Sequence, residues 1–142
     1  MELSSQYQLN LLTVADASLV RALLLQDQLG SAMGLVVNDA TALQWALTNW
    51  LKNGTWWGIF KQHHLIGVVV IMLVAEQLEL SYGLLPAERH RGLMTKAVKQ
   101  VLAQVAQRPI MAQTTANNLA SQRVLQKLGF NYDAENRLWT CN

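Results

Sequence analysis

The sequence predicts a single α/β (α+β) domain built on a mixed, mostly antiparallel sheet with helices on both faces. Three observations carry that expectation. Apolar positions recur at helical spacing up to about residue 53, turn strand-like from 55 to 85, and return to helical spacing at 93. Short polar breaks, "QHH" and "AE", divide the strand-like region into three runs, as an antiparallel meander requires. The 142 residues are 51% hydrophobic and only 14% charged, which suits one sizeable core and argues against disorder.

The elements follow in order. Gln8 to Leu12 reads as a short first strand. Thr13 and Asp16 offer helix-start chemistry, Leu19, Val20, Leu23 and Leu24 recur at helical spacing, and Gly30 sits where a C-cap belongs. A second helix is expected from near Asp39, with Leu43, Ala46, Leu47, Trp50 and Leu51 on one face and Asn53-Gly54 as its stop. Residues 31–38 between them read as a loop. Strands are expected at Thr55–Lys61, Leu65–Val74 and Gln77–Leu85, the third ended by Pro86. Helical spacing returns at Leu93 with Met94, Ala97, Val98, Val101, Leu102 and Val105, and Pro109 closes it. "IMAQTT" (110–115) reads as a strand and Leu119 to Leu128 as a helix capped by Gly129. The rest reads as two strands about a turn near Asn136. The expected order is β-α-α-β-β-β-α-β-α-β-β.

Composition narrows the class. One cysteine, Cys141, cannot form an internal disulfide, and the first ten residues show no signal-peptide pattern, so a cytoplasmic protein is expected. The most apolar run, Ile66 to Ala75, is far shorter than the ~20 residues of a membrane span. The net charge of +2 hides an asymmetry: residues 1–88 hold three basic and seven acidic residues, residues 89–142 eight basic and two acidic. A basic half suits a polyanionic ligand. No aromatic-interleaved basic stripe or recognition helix is present, so nucleic acid is not an expected partner. His63 and His64 form a pair in a turn without matching carboxylate spacing, so no metal is expected.

The stretch "ERHRGLMTKAV" (88–98) places two arginines, a histidine and a glycine at the mouth of a helix. There the first backbone N–H groups lack intrahelical partners, with the positive end of the helix dipole behind them. A glycine admits an anion close to the backbone, and arginine binds phosphate bidentately. Gly92 with Arg89 and Arg91 therefore forms a candidate anion site, in a loop that also carries His90 and leads into Leu93, Met94 and Thr95. Neither G-x-x-x-x-G-K-[ST] nor G-x-G-x-x-G occurs, which excludes a P-loop and argues against a dinucleotide site.

"PAERHRGLMTKA" resembles the acetyl-CoA loop, Q/R-x-x-G-x-G/A, of GNAT-type N-acetyltransferases, with Arg89, Gly92 and Met94 at the three pattern positions. Met94 departs from Gly/Ala, but "GLMTKA" is similar to the form found in the RimJ/RimL-like branch, which acetylates ribosomal-protein N-termini. "NLASQRVLQKLGF" (118–130) is similar to that branch's N-x-x-S-x-x-V-L-x-K-L-G-F, and "LIGVVV" (65–70) to its third strand. The resemblance implies central strands that splay apart around acetyl-CoA, the acyl donor. Backbone groups near Leu84 and Leu85 would pair with the pantetheine arm, those of Arg89 to Thr95 would hold the pyrophosphate, and Asn118 would bond the cofactor near its amides.

The resemblance also implies an acid and a base. Many relatives protonate the leaving thiolate with a tyrosine four residues before the G-F glycine; here that position is Leu125. Ser121 is the alternative the branch suggests, against a plain role in the helix's first turn. Relatives often carry a glutamate on the strand read here as "EQLELSYGLL"; alternation puts Glu79 with Ser81 and Gly83, and Leu78, Leu80, Tyr82 and Leu84 on the opposite face. Glu79 is the candidate base, although a bulge is expected in this strand and would flip the faces. Tyr82 either packs in the core or lines a cleft, with core the default. Trp45 or Trp56 could wall an acceptor cleft. The expected acceptor is an amine, on a protein N-terminus or a small molecule, and the expected state a monomer or homodimer. The rival from another class is a non-catalytic acyl-CoA-binding module.

Overall fold

In the computed structural model, which describes residues 1–35 and 39–142, the chain opens with a strand hairpin, β1 (Glu2–Ser4) and β2 (Tyr7–Leu11). A capping box at Thr13 and Asp16 starts a 3-10 turn that runs into α1 (Ala17–Leu25). The short α2 (Leu29–Ala32) follows, then α3 (Ala40–Asn53), whose N-terminus is capped by the Asp39 carboxylate accepting from Ala42 N–H at 2.8 Å. The meander is β3 (Thr55–Lys61), β4 (His64–Val74) and β5 (Gln77–Leu84). Next come α4 (Leu93–Gln104), β6 (Ile110–Ala112), α5 (Leu119–Lys127), β7 (Asn131–Asp133) and β8 (Leu138–Cys141).

Among the described residues the eight strands form one sheet in the order β1-β2-β3-β4-β5-β6-β8-β7, and only β5 and β6 run parallel. Strand alternation divides the core between the two faces. Val69 and Ile71 of β4 join Leu80 and Leu84 under α4 and α5, whereas Val68 and Val70 point to the layer made by α1, α2 and α3. Helix α4 buries the row Leu93, Met94, Ala97, Val98, Val101 and Leu102 anticipated from its spacing.

Several expectations are corrected. Strand β1 was not anticipated, because three residues with only Leu3 buried give no readable period. Gly30 is not a cap: it is buried inside α2, and the left-handed residue after that helix is Gly34 at φ +81°. Part of the expected loop at 31–38 is therefore helical, and 36–38 lie outside the described residues. Helix α4 ends at Gln104, before Pro109, and the strand expected over 110–115 stops at Ala112. The bulge expected in β5 is absent: β4 and β5 pair without interruption from Gly67↔Leu84 to Val74↔Gln77. The sheet's register slips instead between β3 and β4, at Ile59/Phe60.

The feature that positions the site is the parallel pair. Strands β5 and β6 pair only at Leu78↔Ile110, Glu79↔Met111 and Leu80↔Ala112. Beyond Ala112 strand β6 ends and the chain leads off to α5, while β5 runs on to Leu84. The sheet is open there along one edge of β5.

Candidate active site

Leu85 N–H donates to Ile66 O at 2.9 Å, so Leu85 turns its backbone toward β4. In an antiparallel pair successive residues aim their backbone groups to opposite sides. Tyr82 and Leu84 therefore aim theirs at the open gap. Arg89 Nε donates to Leu84 O at 3.0 Å, which leaves Tyr82 N–H, Tyr82 C=O and Leu84 N–H facing the gap. Side chains alternate as well: Tyr82 and Leu84 point to the α4/α5 face, Ser81 and Gly83 to the other. A Cβ at Gly83 would stand 2.6 Å from Met33 Sδ and 2.9 Å from Leu29 Cδ1, so the end of α2 lies flush against the strand.

A cavity of about 540 Å³ occupies the gap. Leu29, Ala32 and Met33 line it from one face of the sheet, and Leu93, Met94, Ser121 and Val124 from the other. The cavity thus passes through the sheet where β5 and β6 part.

One end is built for anions. Gly92 sits at φ +70° before α4, and no side chain caps that helix. The N–H groups of its first turn are left for a ligand. Arg89 lines this end, its Nε pinned to Leu84 O and its terminal amino groups without a partner among the described residues. Arg123 and Lys127, on successive turns of α5, also line the cavity.

At the neck two hydroxyls meet. Tyr82 Oη and Ser121 Oγ lie 2.7 Å apart, and Tyr82 Oη is also 3.1 Å from Ser121 O, to which it can donate. Burial pushes the Tyr82 hydroxyl up to about 12, only partly offset by the Ser121 contact. Ser121 N–H donates to Asn118 Oδ1 at 3.1 Å, and Asn118 N–H, the group a first-turn hydroxyl would accept from, donates to Thr115 O at 3.1 Å, so the Ser121 hydroxyl is not needed as a cap. The Asn118 Nδ2 group also lies at the cavity wall and makes no hydrogen bond among the described residues.

Of the residues singled out in the sequence, Leu84, Arg89, His90, Gly92, Leu93, Met94, Thr95, Asn118 and Ser121 come together around this cavity. Three do not. Leu85 spends its N–H on β4. Arg91 is outside the lining, and its charge instead helps hold the Glu88 carboxyl below its usual range. Glu79 lies outside the cavity on the paired stretch of β5, opposite Met72 and Met111. Neither tryptophan walls the cleft: Trp56 is buried in the core and Trp45 is 72% exposed outside the lining. Tyr82, for which sequence reasoning held both core and cleft open with core the default, lines the cavity, and Arg123, Lys127 and the α2 wall were missed. The shared alternation of Tyr82 with Leu84, and the helical spacing of Arg123 and Lys127 from Ala120 and from each other, were the available signals. Among the described residues no group of three or more histidines, cysteines or carboxylates stands together to hold a metal, and no helix is long and apolar enough to cross a membrane.

The profile of the acetyltransferase (GNAT) domain matches residues 8–131. Comparison with curated protein sequences gives no match. Among solved structures, the chain is similar to the ribosomal-protein-S5-alanine acetyltransferase of Vibrio fischeri, with a TM-score of 0.75 and 20% identity over 94% of this chain and 83% of the other. It is similar to RimL, the ribosomal L7/L12 alpha-N-protein acetyltransferase, with a TM-score of 0.77 and 13% identity over 99% and 92%. The spermidine N-acetyltransferase of Vibrio cholerae, solved with CoA and spermine, gives a TM-score of 0.74 and 15% identity over 92% and 84%.

Proposed function

Because the chain belongs to the GNAT acetyltransferase family, we propose that it carries acetyl from acetyl-CoA to a primary amine by direct transfer in a ternary complex. We place protein or peptide N-terminal α-amines ahead of small-molecule amines as acceptors. The observation that carries this reading is the cavity through the sheet at the open edge of β5, anion-binding at one end and hydroxyl-lined at its neck. The donor set fits the acyl donor: uncapped N–H groups of α4 with Arg89, Arg123 and Lys127 suit its phosphates, and the free edge of β5 suits its amides.

The chain's groups then have these tasks. Leu84 N–H or Tyr82 N–H donates to the thioester oxygen as negative charge gathers there. The two substrates meet in line through the gap, which replaces an encounter in solution by a held geometry. The amine nitrogen forms the new bond to the carbonyl carbon, the carbon–sulfur bond breaks, and the sulfur leaves with the electron pair. The amine gives up one proton to solvent and the sulfur gains one. In this reading Ser121, which lines the cavity, donates its hydroxyl to that sulfur. Glu79 stands outside the cavity, and this reading assigns no carboxylate among the described residues the part of a base. An α-amine, with an ordinary pKa of about 7.7–8.0 against ~10.4 for lysine, is already partly neutral near physiological pH and suits a site of this kind.

The test is mass spectrometry of products after incubation with acetyl-CoA and a mixture of peptides, polyamines and other small amines. Acetyl groups on peptide α-amines are the expected result. Acetylation of small amines alone would move the acceptor class, and tight CoA binding with no product from any amine would leave a non-catalytic binding module.

A further inference from the structure

The tyrosine that relatives carry on the helix corresponding to α5 is replaced here by Leu125, yet a tyrosine hydroxyl reaches the same helix from β5. We propose that Tyr82 is the positioning residue of the thiolate site: it donates its proton to Ser121 Oγ and so aims the Ser121 proton at the departing sulfur. This inference rests on the acetyl-transfer reading above and adds to it the group that makes Ser121 a donor.

The argument is one of proton counting. A serine hydroxyl has one proton and two acceptor lone pairs, and so has a tyrosine hydroxyl. Tyr82 Oη has two partners within reach, Ser121 Oγ at 2.7 Å and Ser121 O at 3.1 Å. If Tyr82 donates to the backbone oxygen, Ser121 must donate to Tyr82, and no serine proton faces the cavity. If Tyr82 donates to Ser121 Oγ, the serine proton is released toward the cavity that both side chains line. A sulfur carrying developing negative charge favours the second arrangement, because only there does it receive a hydrogen bond. Among the described residues Ser121 Oγ has no hydrogen-bond partner but Tyr82 Oη, so no competing local task draws the serine hydroxyl away.

Tyr82 keeps its proton throughout. Burial raises its hydroxyl to about 12, well above the ordinary ~8.5 of a thiol, so a complete transfer from tyrosine to thiolate runs uphill. The pair supplies a hydrogen bond, not a net proton: the sulfur leaves as a hydrogen-bonded thiolate and takes its proton from solvent. No phenolate forms and no further reactant is required.

The test compares wild type, Tyr82→Phe, Ser121→Ala and the double variant in two measurements. The first is titration of the thiol of bound CoA, followed by the ultraviolet absorbance of its thiolate, which needs no turnover. Wild type is expected to hold that thiol below its value in free CoA; Ser121→Ala, which removes the donor, should raise it by about one pK unit, and Tyr82→Phe, which leaves the donor unaimed, should raise it in the same direction by less. The second is steady-state acetylation of the best acceptor. Ser121→Ala is expected to lower kcat about tenfold, below the roughly 10²–10⁴ of a full proton donor, and Tyr82→Phe by a smaller factor, with acetyl-CoA KM little changed. The double variant should lose no more than Ser121→Ala alone, because Tyr82 acts only through Ser121. An unaltered thiol titration in folded Tyr82→Phe overturns the inference, and so do kcat losses that multiply in the double variant. A wild type that acetylates nothing, but whose bound thiol still shifts with Tyr82→Phe, overturns the transfer reading and leaves the Tyr82–Ser121 assignment standing.

Discussion

The Tyr7 hydroxyl donates to Glu88 Oε2 at 2.7 Å, joining β2 to the turn that feeds the anion loop across 81 residues of sequence. Lys61 Nζ closes the group from β3, 3.2 Å from Glu88 Oε1. Glu88 is only 8% exposed, and its carboxylate stands next to the loop proposed to hold phosphate. A buried negative charge there is tolerable only because three partners compensate it. The Tyr7 hydrogen bond is the largest influence holding the Glu88 carboxyl below its ordinary 4.5; burial opposes it, and Lys61 and Arg91 add to it.

Acid unfolding should read this group directly. A lowered folded-state pKa means that the stabilisation is fully present above about pH 4.5 and is lost as pH falls through that value toward the lowered one. Tyr7→Phe is expected to cost about 1.5–3 kcal/mol at neutral pH, the usual range for a hydrogen bond to a charged group. Glu88→Gln should flatten the acid limb of stability against pH. Denaturant unfolding across that range is the measurement, and an acid limb of wild-type steepness in Glu88→Gln would refute the assignment.

Gly92 separates folding from binding. Its φ of +70° makes any side chain cost roughly 1–2 kcal/mol. A Cβ there would meet nothing of the protein within 4 Å, so the fold has room for one, and in the proposed reading that room is the phosphate's approach. Gly92→Val should fold, with a lowered melting point, and lose measurable acetyl-CoA binding. Calorimetry giving wild-type affinity in the folded variant would remove the loop from the site.

Charge should show in the salt dependence of CoA binding. Affinity is expected to fall as ionic strength rises, since exposed charges are screened over about 10 Å at 0.1 M. Arg89→Ala, Arg123→Ala and Lys127→Ala should each weaken binding and flatten that dependence. Arg91→Ala should matter less, because Arg91 lies outside the cavity lining and its charge works on Glu88. Equal losses from Arg89→Ala and Arg91→Ala would contradict the geometry.

Leu125 is core, not cleft. It is fully buried in the cluster beneath α5. Leu125→Ala is expected to cost about 2–5 kcal/mol and Leu125→Tyr about 1–3 kcal/mol, the first by cavity formation and the second by overpacking. Leu125→Tyr should not restore kcat to Ser121→Ala. Thermal unfolding and steady-state rates on the paired variants check both statements.

The sequence by itself determined the elements whose signals are local. The row from Leu93 to Leu102 fixes α4 because helical periodicity needs only neighbours three and four apart. Gly92 and the arginines around it mark the anion loop because its chemistry sits within seven consecutive residues. Ser121 and Asn118 were singled out by the family resemblance of the motif they stand in, not by any local chemistry of their own. Tertiary structure decided everything that depends on two distant segments meeting. Where β6 stops pairing with β5 is set by the departure of the chain after Ala112, and that alone opens the edge at Tyr82 and Leu84. Glu79, plausible by alternation, falls on the stretch that stays paired. Tyr82 reads in sequence as one more apolar position among Leu78, Leu80 and Leu84. Its partnership with Ser121, 39 residues away, exists only because α5 packs over the end of β5. Local periodicity tells a side chain which face to take; only the packing of separate elements decides what waits for it there.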